Sequence, residues 1–107
     1  MTDDSTLGGY LEVHDRPPAF SGVDGAAYSA AVYVDDEPDV DGRYGAAILF
    51  VRWSASGDQP DGHVETDYLH FGPDPATAAR GVLALTLHEV KDHLDRAITA
   101  RKESGDW

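Results

Sequence analysis

Cysteine is absent from this chain of 107 residues, which rules out a disulfide framework, a thiolate metal site and a thiol nucleophile together. Long apolar runs are missing as well, and nothing approaches the roughly 18 residues that a membrane-spanning helix requires. The opening Met1-Thr-Asp-Asp-Ser is acidic where a secretory leader needs basic residues, so the expectation is a cytoplasmic protein without membrane contact. Basic residues are scarce. Eight Lys and Arg stand against 20 Asp and Glu, a formal charge of −12, with lysine only at Lys91 and Lys102. The excess of acid runs through both halves and leaves no basic stripe. Such a field repels phosphate backbones, so nucleic acid is an unfavourable partner. It suits either a halophile-like solvated surface or an acidic mimic that fills a basic site on another protein.

Catalytic signatures are missing too. There is no Gly-x-Ser-x-Gly, and Gly8-Gly9 lacks the remainder of a phosphate loop. His88 and His93 are five residues apart, about 140° around a helix, whereas a zinc-protease helix needs a spacing of four; surface histidines are expected. The acidic run from Glu37 to Gly42 has the oxygen spacing of half a calcium loop, but the position that needs a bidentate glutamate is Ile48. No metal site and no cofactor are expected, and an enzyme is the less favoured class.

What is present is a foldable composition. Apolar residues make up 41% of the chain, enough for a single α+β domain over 1–107 that hides roughly two thirds of its unfolded surface. Residues 1–6 and 103–107 are expected to fray. Alternation of Leu7, Leu11 and Val13 suggests a first strand over 7–14, ended by Arg16-Pro17-Pro18. A second strand is expected at about 26–34, with Tyr28, Ala30, Val32 and Val34 on one face and Ala27, Ala31 and Tyr33 on the other. The third, near 44–53, is apolar on both faces: Ala46, Ile48 and Phe50 point one way, Ala47, Leu49, Val51 and Trp53 the other. Ser54 to Gly62 forms a turn, and a fourth strand follows at about 63–71.

Helix starts after Gly72-Pro73, with Asp74 as N-cap and Pro75 in the first turn. Thr86-Leu87-His88-Glu89 is a second start, a capping box flanked by Leu85 and Val90, so the chain breaks or kinks after 81–84. The final helix spans about 87–101 with a buried stripe of Leu87, Val90, Leu94, Ala97 and Ile98. The fold expected is therefore a four-stranded antiparallel meander sheet followed by a short helix and a longer C-terminal helix, both packed on one face (ββββαα).

That arrangement leaves the other face without a cover. Tyr33, Leu49, Val51 and Trp53 are then the candidates for contact with a partner, either the protein itself through a two-fold axis or another protein, and the primary expectation is a small non-catalytic interaction module. The alternative is a small-ligand or metal-binding protein or enzyme using His14, Asp15, Arg16 and His70, with Arg52 nearby. Arg52 has a structural role open to it as well, a pairing with Glu65 or Asp67 across the ladder. A third reading rests on order alone: four strands followed by helix looks like the Whirly-type and PC-four-like binders of single strands, with Tyr10, Tyr33 and Trp53 available to stack on bases. No motif in the chain places it in either family.

Overall fold

A computed structural model describes residues 4–103. Its elements, in order, are α1 (Leu7–His14), β1 (Ala19–Ser21), β2 (Ala27–Val34), β3 (Tyr44–Trp53), β4 (Pro60–Glu65), β5 (His70–Gly72), α2 (Pro75–Leu83) and α3 (Leu87–Glu103). Strands β1 to β4 form an antiparallel meander in sequence order, β5 also pairs with β3, and two helices follow the sheet; the ββββαα order is as expected, but its first strand is Ala19–Ser21, in the stretch expected to be a loop, and not 7–14. Among the described residues no helix is long and apolar enough to cross a membrane.

The first element differs from expectation: 7–14 is a helix, not a strand. Thr6 caps it by accepting the Gly9 amide at 3.0 Å, and Asp15 closes it in the left-handed region at φ 52°. Leu7 and Leu11 are four residues apart and share one helical face toward the core, whereas Val13, which a strand would have placed beside them, is 49% exposed. Most of the segments expected to fray lie outside the described residues. Within them, Ser5 and Thr6 are tied down: the Leu87 amide donates to the Ser5 carbonyl at 2.8 Å and the Leu7 amide to the Leu85 carbonyl at 2.9 Å.

The sheet is built on β3. Tyr28 and Ala30 from β2, with Ala46, Ile48 and Phe50 from β3, are fully buried under the helices, meeting Ala78 and Val82 of α2 and Val90, Leu94 and Ile98 of α3. Each large side chain in this layer contributes roughly 1.5 to 3 kcal/mol by leaving water. The helices are two, not one kinked rod. Asp74 accepts the Thr77 amide at 2.7 Å to start α2, and the Thr86 and Glu89 pair starts α3, each accepting the other's backbone amide at 3.1 and 3.0 Å.

The expected fourth strand is split. Glu65 pairs with Leu49 and His70 with Ala46, so four residues, 66–69, lie opposite only two, Ala47 and Ile48. Thr66 holds the irregularity in place: its amide donates to the Ile48 carbonyl and its hydroxyl accepts the Ile48 amide, both at 3.0 Å. The ladder resumes when the Leu69 amide reaches the Ala46 carbonyl at 2.7 Å. Extra residues in one strand must leave the plane of the sheet. Asp67 and Tyr68 are the ones that do.

Candidate functional site

Register assembles the helix-free face of the sheet. Ala27 stands opposite Trp53, Ser29 opposite Val51, Ala31 opposite Leu49 and Tyr33 opposite Ala47, while β4 adds His63 beside Val51 and Glu65 beside Leu49. All four partner-contact candidates, Tyr33, Leu49, Val51 and Trp53, thus share this face. Tyr33 is 44% exposed, the other three are half-buried, and Ala47 between them is buried. Trp53 directs its indole N–H to the Ser29 hydroxyl at 3.0 Å, which satisfies its one polar group within the face. Charged residues make up 26% of the chain, yet of these ten positions only Glu65 carries a formal charge. The face is therefore set apart from the rest of the surface by its lack of charge.

Tyr68 closes one end. Its ring lies across Gly45, where an added Cβ would sit only 2.7 Å from the aromatic carbons, so glycine is needed for the close approach. Its hydroxyl donates to Asp35 at 2.5 Å. Because that bond requires the phenolic proton, with desolvation and the Asp35 charge adding to it, the Tyr68 hydroxyl is pushed up to about 12. The same bond, with the Glu37 amide, lowers Asp35. Phe71 meets Tyr68 edge to face at 5.7 Å, and the Arg43 guanidinium lies 4.6 Å over Phe71 while pairing with Asp39 at 3.1 Å. Between Tyr33 and Tyr68 is a pocket of about 390 Å³, floored by Ala47 and walled by Glu65, Thr66 and Asp67. Sequence reasoning missed Tyr68. The available signal was Gly45 inside an apolar strand, a mark of something packed closely on the backbone.

A second groove, of about 540 Å³, runs between 64–69 and α3 on the helix side. It mixes Glu65 and Asp67 with Arg96 and Arg101 over apolar Val64, Leu69 and Ala97. His93 on its wall is lowered, first by burial and then by the nearby Arg96 charge.

The ligand candidates are not gathered into one constellation. His14 pairs with Asp4 at 3.1 Å and stacks on Tyr10 at 4.2 Å, and Arg16 lies 5.6 Å over the Tyr10 ring. Asp15 serves as the αL cap of α1. His70 belongs to a different contact, its ring pressed against Gly81 of α2, where a Cβ would overlap it. Arg52 does not pair with Glu65 or Asp67. It stands in register with Tyr28 and Gly62 on the helix side, whereas Glu65 points to the opposite face, and its partners are Asp24 at 3.4 Å and Asp61 at 3.1 Å. The acidic loop is organised by Arg43: Asp39 accepts the Asp41 and Arg43 amides at 2.9 Å each and the Arg43 guanidinium at 3.2 Å. Among the described residues no group of three or more His, Asp or Glu side chains is arranged to hold a metal. Tyr10 sits on α1, not on a strand beside Tyr33 and Trp53, so the three aromatics do not form one stacking row.

Compared with known proteins, the chain matches no family model, no curated protein and no solved structure.

Proposed function

We propose that this protein is a small acidic interaction module that binds another protein through the helix-free face of its sheet, around Tyr33, Leu49, Val51 and Trp53. The observation that carries the reading is a contiguous face with a single formal charge on a chain of net charge −12. A charge-poor, half-buried apolar centre is what a protein interface core requires, with aromatic side chains as anchors. Around that centre stand carboxylates: Asp35 at the Tyr68 end, and Glu65 and Asp67 beside the pocket. The matching surface is flat and apolar at its middle and basic at its rim. Two copies of this chain would bring like-charged rims together, so a foreign partner is electrostatically favoured over self-association.

Site-specific photo-crosslinking in the source cells tests this. A photoreactive side chain at Val51 or Tyr33 is expected to capture one discrete protein, and the same group at Thr99 on the exposed side of α3 is not. The Val51→Glu variant should lose the complex while keeping the thermal stability of the parent, and added salt should weaken binding because the rims attract. Equal capture from both faces, or none from either, would overturn the proposal. Capture of a second copy, strengthened by salt, would replace the foreign partner with a homodimer.

A further inference from the structure

We infer that the pocket between Tyr33 and Tyr68 recognises an organic cation, an alkylated ammonium or a guanidinium group. The split of the fourth strand creates it, since the residues displaced at 66–69 bring Asp67 and Tyr68 around the end of the face. Two phenol rings, 44% and 45% exposed, wall a space of about 390 Å³ over the methyl of Ala47. Two carboxylates complete it. Glu65 and Asp67 make no ion pair among the described residues, although the chain pairs Asp24, Asp39, Asp61 and Asp95 with its few arginines and lysines. Glu65 also lies close enough to Tyr68 for its negative charge to disfavour ionisation of the phenol, so acid and ring converge electrostatically as well as sterically.

Ring faces carry negative potential and attract a cation held within about 6 Å of the centroid, and nearby carboxylates add to that attraction. The same corner shows the principle in use: Arg43 covers Phe71 at 4.6 Å while bound to Asp39. Beside it, the Tyr33 and Tyr68 pocket has the rings and the acids, and none of its lining residues is cationic. An alkylated ammonium fits because its methyl groups can lie against the rings and Ala47 while its charge faces Glu65 and Asp67. The group could come from a free small molecule or from a lysine or arginine side chain. The inference is anchored to the face proposed above only by position, because the pocket can bind a small cation whether or not the wider face binds a protein.

Titration of the isolated protein with tetramethylammonium chloride, followed by NMR, is the test. Saturable shifts confined to Tyr33, Ala47, Thr66 and Tyr68 are expected, with tert-butanol, of similar shape and no charge, giving none. Tyr68→Leu should weaken binding by about tenfold, the scale of one lost cation–ring contact, and Glu65→Gln with Asp67→Asn should weaken it further. Parallel titrations with choline and with N-acetyl-arginine methylamide distinguish the sources: tighter choline points to a free ligand, tighter arginine to a partner's side chain. Identical shifts with potassium chloride at the same ionic strength, or affinity unchanged in Tyr68→Leu, would overturn the inference. A Val51→Glu variant that loses its protein partner but retains the tetramethylammonium shifts would separate failure of the face from failure of the pocket.

Discussion

The buried phenol of Tyr28 donates its proton to the Asp24 carboxylate at 2.8 Å, and Arg52 approaches the same oxygen at 3.4 Å. Asp24 also accepts the Ala26 amide at 3.1 Å, and its side chain is 6% exposed. One carboxylate therefore joins the turn before β2, the core and the end of β3. Replacing it with alanine deprives a buried hydroxyl of its acceptor and Arg52 of one carboxylate, a loss of about 2 to 3 kcal/mol. Urea unfolding of Asp24→Ala should show a lower midpoint at unchanged slope.

The same site has a pH signature. Burial acts to raise the Asp24 carboxyl, but the Ala26 amide, the Tyr28 hydroxyl and Arg52 outweigh it and hold it below its ordinary 3.8. A carboxyl depressed in the folded state stabilises the protein above its unfolded value and loses that contribution as pH falls through the folded value. The stability gap between the parent and Asp24→Asn should be full at neutral pH and narrow below about pH 4. A gap independent of pH down to acid unfolding would contradict this account.

Gly81 offers a prediction whose sign is unusual. Glycine to alanine inside a helix ordinarily stabilises by about 1 kcal/mol. Here the new methyl would enter the His70 ring, so Gly81→Ala should destabilise. In a His70→Ala background the ring is gone, and the same substitution should become stabilising. Thermal melts of the four proteins in this cycle measure both signs directly.

At the other face, Asp35→Asn removes the carboxylate that accepts the Tyr68 hydroxyl. Ultraviolet titration should then show one tyrosine returning from about 12 toward the ordinary 10. A raised tyrosine value means that the bond contributes below the ordinary value and fades as pH climbs through the folded one, so the variant and parent should differ least in strong alkali.

For the reciprocal cap of α3, Thr86→Ala should cost about 1 kcal/mol and speed amide exchange in the first turn of that helix. No comparable change is expected at α2, which has its own cap in Asp74.

Much of this fold was legible in the chain. The two-sided apolarity of 44–53 located β3 to the residue, and Asp74-Pro75 with Thr86 and Glu89 located both helix starts, because caps and buried strands depend on local chemistry. Leu7 and Leu11 satisfied a helix as well as a strand, and only contact with Leu83 and Leu85, far along the chain, decides between them. The split at 66–69 was equally hidden, since alternation through Glu65, Asp67, Leu69 and Phe71 is unbroken in sequence. The greasy face could be read from Tyr33, Leu49, Val51 and Trp53, but the pocket beside it could not. It depends on Tyr68, which reaches that face only because two residues too many lie opposite Ala47 and Ile48.

The interrupted outer strand has one more effect, on how the molecule keeps to itself in a crowded solution. A continuous rim of backbone donors and acceptors invites a neighbouring chain to zip onto it. On this side the rim offers at most the 6 residues of β4 before it swerves, and the Arg101 side chain already donates to the His63 carbonyl there at 3.5 Å. A stray strand arriving at that border would find too short a row to hold.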